Sequence, residues 1–367
     1  MSVFCKNILF SMFLFLIAGT DGVFAQENHH GATQDGEKLN VTELILEHVG
    51  DAYSWHIVTI DNKQIAIPLP VIVRSSNGAW HFFSSAHFEH GHAQYQGFSI
   101  ADEGQYKGKI VETNAAGEEI RPLDFSLTKN AVSLLMSSAL LIVLILSCAR
   151  WYRRRKVEEL SPKGFFCAIE LLITTLIDSV IKPCVGKNYA RYAPYLLTVF
   201  FFIFINDLLG LIPIFPGGAN VTGNIAVTGV LAVFTFIVVN IFGTKEYWKE
   251  ILWPNVPMWL KVPIPIMPAI EIVGMFTKPF ALMIRLFANI LAGHAIVLGL
   301  TCMIFITVSL GAAMNTGMSI LSIIMTIFID VVELLVAFIQ AYVFTLLSAV
   351  FIGLSQVEPH HHKNSEI

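Results

Sequence analysis

The chain has 367 residues, of which 55% are hydrophobic and only 14% are charged, and its mean hydropathy is +0.66. This composition excludes an ordinary soluble domain and indicates an integral membrane protein, because a transmembrane helix needs about 20 mostly apolar residues. The net charge of -4 gives no basic surface of the kind that binds nucleic acid, so no nucleic-acid partner is expected.

The first 25 residues have the pattern of a secretory signal peptide. Lys6 precedes an apolar run that ends near residue 18, and the letters VFA at the end of this segment form a suitable cleavage site. We therefore predict a signal peptide at residues 1–25, with an uncleaved membrane anchor as the alternative.

Residues 26–128 have the composition of a water-exposed domain, which a signal peptide would export to the periplasm. A helical pattern near residue 44 is followed by WHIVTI, a DNK turn and QIAIPLPVIV, which predict short strands. Pro68 and Pro70 favour an edge position, because proline cannot donate a hydrogen bond to a sheet ladder. No cysteine lies in this region, so no disulfide framework can hold it together. We predict a small α/β or mostly β domain.

The stretch HFFSSAHFEHGH in this region contains four candidate metal ligands: His81, His87, His90 and His92. Their spacing is irregular and does not follow the regular ligand spacing of structural zinc sites. The same pattern is typical of a solvated loop. A metal-binding exported module is therefore kept as an alternative function, and no cofactor is expected.

Residues 129–355 carry the hydrophobic segments of a membrane domain. The 20 residues from 130 to 149 have no formal charge and are followed at once by RWYRRRK, whose positive charges favour the cytoplasmic side. The next segment, KGFFCAIELLITTLIDSVIKP, is apolar but is interrupted by Glu170, Asp178 and Lys182, which a helix places on one side. That pattern predicts an amphipathic helix along the membrane interface.

The remaining segments predict a hairpin and two long helices. YAPYLLTVFFFIFINDLLGLIP and IAVTGVLAVFTFIVVNIFG are joined by a turn without lysine or arginine. The last two apolar segments, roughly 263–309 and 318–355, are far longer than a bilayer requires and are expected to tilt strongly. The loop between them also lacks basic residues, which places the tail, residues 356–367, in the cytoplasm. We predict an all-α polytopic membrane protein with about five transmembrane helices, an interfacial helix and the exported domain.

Arg285 stands alone inside one of these apolar runs. A formal charge near the bilayer centre costs at least roughly 2.5–3.5 kcal/mol on insertion scales, so such residues usually face protein or water. Asn289 shares its helix face, while Glu271 lies about 21 Å toward the cytoplasm and His294 about 13 Å toward the outside. This order predicts two aqueous approaches separated by an arginine. An arginine that reaches the headgroups, or is satisfied by backbone carbonyls, is the alternative.

The final apolar segment supplies further polar residues: Asp330, Glu333 and Gln340. Glu333 and Gln340 are seven residues apart, so both can face the preceding helix. Glu333 would then lie at the depth of His294, and a histidine beside a carboxylate can relay protons near neutral pH. Gln340 would lie near Arg285 and could orient it without neutralising its charge. The alternative is that His294 and Glu333 form a purely structural polar pair.

The motifs RLFANILAGH and ELLVAFIQAYVFTLL, preceded by EIVGMFTKPF and DLLGLIP, resemble those of subunit a of the F-type ATP synthase. The resemblance covers roughly residues 134–355. It implies that Arg285 is the essential arginine that faces the carboxylate of the rotating c-subunit ring. Asn289 and Gln340 are implied as its polar neighbours.

The resemblance also implies a role for the remaining polar residues in two offset proton half-channels. Glu271 corresponds to the cytoplasmic half-channel, and His294 with Glu333 to the outer one. Asp207 stands where many members have asparagine, which adds a carboxylate to the outer half-channel. Asp330 is a further candidate on the pathway.

A proton-conducting stator subunit is the function that the resemblance implies, with rotation of the ring coupled to ATP synthesis. The expected partners are the c-subunit ring, the b-subunit peripheral stalk, other ATP synthase subunits, transported protons and membrane lipid. The exported extension is similar to that of Bacteroidetes-like members, which implies a bacterial inner membrane. The chain has no G-x-x-x-x-G-K-[ST] motif, so nucleotide chemistry and independent enzyme activity are not expected. A self-contained ion-coupled transporter is the alternative, although no inverted repeat is apparent.

Overall fold

The computed structural model describes residues 50–60, 63–91, 93–101, 104–113, 119–154, 164–212, 217–253 and 266–356. The chain divides into two compact units. The first comprises Met1–Ala139, Leu209–Val221 and Ala295–Asp330, and the second comprises Leu140–Leu208, Thr222–His294 and Val331–Ile367. The predicted signal peptide, the predicted helix near residue 44 and nearly all of the tail lie outside the described residues.

Eight short strands lie in the first unit: β1 (Ser54–Ile60), β2 (Lys63–Pro68), β3 (Pro70–Arg74), β4 (Trp80–Ser84), β5 (Phe98–Ile100), β6 (Ile110–Thr113), β7 (Glu119–Ile120) and β8 (Leu123–Asp124). They form three antiparallel sheets, with the orders β1-β2, β4-β3-β8 and β5-β6-β7. A 3-10 helix, Ser85–Gly91, follows β4. The strands predicted from WHIVTI and QIAIPLPVIV are confirmed.

The edge position predicted from the two prolines is wrong for β3. Pro70 begins this strand, which lies between β4 and β8 at the centre of its sheet. Proline is tolerated at the first residue of a strand, because its missing N–H falls where the ladder starts. Pro68 ends β2, which belongs to a two-stranded sheet and therefore has a free edge.

The β strands enclose a small apolar core. Val71 and Val73 alternate along β3 with more exposed residues and pack among buried aromatic and aliphatic side chains: Tyr53, Phe88, Phe98 and Ile110. The Tyr53 hydroxyl donates a hydrogen bond to Asp124 on β8. Burial and this bond to a carboxylate raise the pKa of Tyr53 above its ordinary range. The contact fixes β8 against the core just before the first long helix.

The rest of the described chain is helical: α1 (Lys129–Arg153), α2 (Phe165–Leu176), α3 (Lys182–Val185), α4 (Tyr189–Gly210), α5 (Ile225–Ile241), α6 (Lys245–Leu252), α7 (Ile266–Ile306) and α8 (Ala312–Ser355). A π-helical turn, Ile177–Ile181, joins α2 to α3, and 3-10 turns lie at Gly186–Asn188 and Thr307–Leu310. By length and composition, α1, α7 and α8 could each cross a membrane, and the bent pair α5 and α6 could supply a fourth crossing. The all-α polytopic class is confirmed, with three or four such crossings in the described part rather than about five.

The two final helices are long, as the apolar runs predict. With 41 and 44 residues, α7 and α8 measure about 62 and 66 Å at 1.5 Å per residue. A hydrocarbon core about 30 Å thick is half that length, so helices of this kind must tilt or extend beyond it. Each can therefore carry polar groups at several membrane depths.

Near its C-terminal end, α8 approaches the backbone of α3 in the second unit. A Cβ atom added at Gly353 would lie 1.9 Å from the carbonyl oxygen of Cys184. That oxygen belongs to the backbone, which cannot rotate away as a side chain could. The missing side chain of Gly353 therefore permits this close contact.

We expect Gly353→Ala to destabilise the packing of α8 against α3. Overpacking a close contact costs roughly 1–3 kcal/mol, so the Tm in detergent should fall. Gly317→Ala, on the same helix, is the matched control, because its added methyl group meets no atom within 4 Å. Equal Tm values for the two variants would show that the contact is not as close as described.

Candidate functional site

A histidine and a carboxylate meet in the second unit, where α7 faces α8. The His294 Nδ1 atom lies 3.1 Å from Glu333 Oε1, and the two side chains are 20% and 5% exposed. The angles at the two atoms do not meet the geometry of a hydrogen bond. Glu333 Oε1 is therefore buried without a hydrogen-bond partner among the described residues. The depth argument from sequence thus places these two residues together correctly.

A second carboxylate lies close to this pair. Asp207, near the end of α4, is buried and lies near enough to Glu333 to interact with it electrostatically. The Thr222 hydroxyl is also a neighbour, but neither Asp207 oxygen has a well-aligned hydrogen bond within the described part of the chain. We name Asp207, His294 and Glu333 the outer cluster. Its three groups can each bind a proton.

Gly293 leaves the space in which the Glu333 carboxylate lies. A Cβ atom at this position would come within 2.6 Å of Glu333 Oε1 and 2.7 Å of Cδ. Any larger residue would therefore push the carboxylate from its present position beside His294. Sequence reasoning did not identify Gly293, although it directly precedes a candidate residue.

Arg285 lies outside the buried stripe of α7. Leu282 and Leu286 are almost fully buried, whereas Arg285 is exposed beside apolar side chains such as Phe280 and Ile284. The guanidinium makes no ion pair or hydrogen bond with the residues that the structure describes. It is therefore available to a partner outside the chain.

The two predicted neighbours of Arg285 do not bond to it in the described structure. Asn289 is half-buried and Gln340 is buried, but neither donates to or accepts from the guanidinium. An orienting role for these amides therefore stays a prediction.

An open hollow lies where α5, α6, α7 and α8 meet in the second unit. Most of its lining is apolar, as at Phe351, and Asn240, Tyr247 and Lys278 contribute polar groups. The Tyr247 hydroxyl donates to Asn240 Oδ1 over 3.2 Å, and Lys278 Nζ lies 5.7 Å from the Phe351 ring centre. Tyr247 also interacts electrostatically with Glu271. We name Asn240, Tyr247, Glu271 and Lys278 the inner group.

Sequence reasoning missed Asn240 and Tyr247. The available signals were an asparagine inside the apolar run IVVNIFG and a tyrosine within the short charged helix KEYWKEIL. Neither pattern shows that the two residues meet, because α5 and α6 are bent by 101° at the break between them. That bend brings the Tyr247 hydroxyl back to Asn240.

Three of the charged residues of α7 lie along one stripe of the helix, and His294 lies further along the axis on another face. Glu271, Lys278 and Arg285 are seven residues apart, a spacing that keeps side chains within about 20° of one face. Along the axis, Arg285 lies about 21 Å from Glu271 and about 13 Å from His294 at 1.5 Å per residue. The cation thus separates the inner group from the outer cluster.

The other candidate residues lie in the first unit. Asp330 belongs to that unit. His81 shares a hydrogen bond with Gln96, and His87 stacks on Tyr95. His92 and the side chain of His90 lie outside the described part, within which no three potential metal ligands gather.

Comparison with known proteins decides the family. Residues 134–353 match the model of the family described as ATP synthase A chain. The chain belongs to this family. It is therefore an integral membrane subunit of the proton-translocating sector of an ATP synthase. Residues 44–125 match a second family, described as a domain of unknown function (DUF8433).

Similar curated proteins carry the same description. ATP synthase subunit a 2 of Chlorobaculum tepidum is 43% identical over 68% of this chain and 68% of its own length. ATP synthase subunit a of Chlorobium phaeobacteroides is 41% identical over 65% and 67%, and that of Chloroherpeton thalassium is 37% identical over 66% and 70%. The likeness therefore covers most of each chain.

We expect Gly293→Ala to slow passive proton flux through the membrane sector. The added methyl group displaces the Glu333 carboxylate from His294, and a penalty near 1.4 kcal/mol corresponds to roughly a tenfold loss of rate. Dye-reported proton uptake into vesicles stripped of the soluble sector measures the flux. The matched control is Gly299→Ala on the same helix, where the methyl group meets no atom within 4 Å. Unchanged flux in both variants would contradict the spatial role of Gly293.

Proposed function

We propose that this chain is the stator subunit that passes protons to and from a c-subunit ring through two offset half-channels. The observation that supports this most strongly is the exposed guanidinium of Arg285 on α7, which pairs with none of the residues that the structure describes. It lies between a buried cluster of proton-binding groups and an open hollow bordered by Asn240, Tyr247 and Lys278. A cation with no partner among the described residues is free to pair with a carboxylate of another chain.

Protons enter through the outer cluster. Its imidazole and carboxylates can exchange a proton over short distances, and imidazole titrates close to neutral pH. His294 is the most exposed of the three groups and Asp207 the least. We therefore propose that His294 meets incoming water, and that Glu333 and Asp207 hold the proton before its transfer to the ring.

The ring carboxylate carries the proton through lipid. An ionised carboxylate is costly in an apolar environment, whereas the protonated acid is neutral and can face lipid. After nearly a full turn the acid approaches Arg285, whose positive charge favours the ionised form. The proton then leaves on the inner side.

The inner group provides the exit. Glu271 accepts the released proton, and the Tyr247 hydroxyl and the Asn240 amide beside the hollow can hydrogen-bond water along the exit. Lys278 lies seven residues before Arg285 on the same stripe and adds a second positive charge. The positive charge of Lys278 attracts water and favours the ionised form of the Glu271 carboxylate near the exit.

Arg285 also prevents a direct leak between the two routes. A fixed positive charge repels a proton or hydronium ion that would pass along α7 from the outer cluster to the inner group. The only remaining path is then through rotation of the ring. Each charge that crosses about 100 mV releases roughly 2.3 kcal/mol, and several such steps are needed for one ATP.

The partners and orientation follow from this role. The outward face of α7 that carries Arg285 would contact the c-subunit ring, and other ATP synthase subunits, including a b-subunit peripheral stalk, would hold the chain still. The outer cluster would open to the periplasm of a bacterial inner membrane and the inner group to the cytoplasm. The N-terminal domain would then be periplasmic, and the tail cytoplasmic.

We expect Arg285→Ala to abolish ATP-driven proton pumping, because the ring carboxylate would no longer be deprotonated selectively. Nucleotide sites belong to other subunits, so ATP hydrolysis by the soluble sector should persist. Acridine-dye quenching measures pumping, and phosphate release measures hydrolysis. Lys249→Ala is the control, because it removes an exposed positive charge on α6. Coupled pumping by Arg285→Ala would overturn the proposal.

A further inference from the structure

The sheet β4-β3-β8 in the first unit has an unusual outer face. Its inner face carries Val71 and Val73 into the core, whereas the strand register places Arg74 opposite both Trp80 and Leu123 on the other face. We name this the outer aromatic face; its members are Arg74, Trp80, Phe82, Leu123 and Phe125. An antiparallel sheet normally presents polar residues on a solvated face. Four of these five side chains are apolar.

The apolar side chains of this face are exposed and contiguous. Phe82 is 70% exposed, Trp80 48%, and Leu123 and Phe125 59% each. The Trp80 ring centre lies 6.4 Å from that of Phe82 and 5.7 Å from that of Phe125. The Arg74 guanidinium lies 5.8 Å from the Trp80 ring centre. Contiguous exposed apolar surface of this kind marks an interaction site.

The outer aromatic face is tied to the start of a membrane-crossing helix. Backbone amides donate in succession from Phe125 to Ile72, from Leu127 to Pro70 and from Lys129 to Ala52. Lys129 is the first residue of α1, and Asp51 accepts a bond from the next amide of that helix. The link between sheet and helix is therefore hydrogen-bonded along its length.

This link limits the distance between the face and the membrane. Phe125 is four residues before Lys129, so the two are at most about 14 Å apart even in a fully extended chain. The headgroup region adds about 5–8 Å on each side of the hydrocarbon core. The outer aromatic face thus lies within reach of the headgroups on the side where α1 enters.

We propose that the outer aromatic face binds the surface of the lipid bilayer beside the entry of α1. Tryptophan is enriched at the boundary between hydrocarbon and headgroups, where its ring is buried and its N–H remains hydrated. Phe82 and Phe125 contact acyl chains at the same level, and Arg74 pairs with lipid phosphate. The proposal goes beyond the proton role and does not depend on it.

Quenching by nitroxide-labelled lipid tests this contact in the intact ATP synthase complex. The complex is reconstituted in phosphatidylethanolamine and phosphatidylglycerol vesicles, with and without lipid labelled at carbon 5 of an acyl chain. The difference in emission between the unaltered complex and Trp80→Phe reports Trp80 alone. We expect the labelled lipid to quench most of this emission. Phe82→Trp provides a second reporter on the same face and should be quenched similarly.

The control is Gln94→Trp in the Trp80→Phe background. Gln94 is exposed in the same unit but lies outside the outer aromatic face, so its emission should be unaffected by the labelled lipid. Unquenched emission from both Trp80 and Phe82→Trp would overturn the proposal. Blue-shifted emission would then indicate coverage by protein, and red-shifted emission would indicate exposure to water.

Discussion

The high cost of an unpaired charge in a low-dielectric environment constrains the whole membrane unit. Arg285 cannot be deprotonated in a protein and has no counter-charge among the described residues of its own chain. In the proposed assembly, a carboxylate of the partner ring would offset the cost of burying this charge. The same physics fits the proposed mechanism, in which a ring carboxylate leaves the arginine only after it binds a proton.

The length of α7 and α8 lets two helices carry the polar groups of both proposed proton routes. A single 41-residue helix carries Glu271, Arg285 and His294 at three depths, while α8 places Glu333 beside His294. The shorter helices complete the ends: α4 brings Asp207 to the outer cluster, and α5 with α6 brings Asn240 and Tyr247 to the inner group. In the proposed mechanism, this separation along the helix keeps the two routes apart.

Much of this arrangement could be predicted from sequence, because it depends on local spacing. Helical rise, together with the opposite directions of the last two segments, placed Glu333 at the depth of His294, and long apolar runs predicted α7 and α8. Contacts that depend on tertiary packing could not be predicted in this way. Pro70 suggested an edge strand. The local sequence does not show that β8, about 50 residues later in the chain, pairs with this strand and completes its sheet. The space at Gly293 and the bend that joins Tyr247 to Asn240 likewise have no signature in residue type or periodicity.

The distance between the Arg285 guanidinium and the nearest c-ring carboxylate tests the central claim most directly. Electron cryo-microscopy of the assembled complex can measure it at side-chain resolution. We predict a separation within about 4–6 Å, the range in which an opposite charge favours the ionised carboxylate. An arginine that faces lipid, or that pairs with a carboxylate of its own chain, would contradict the account.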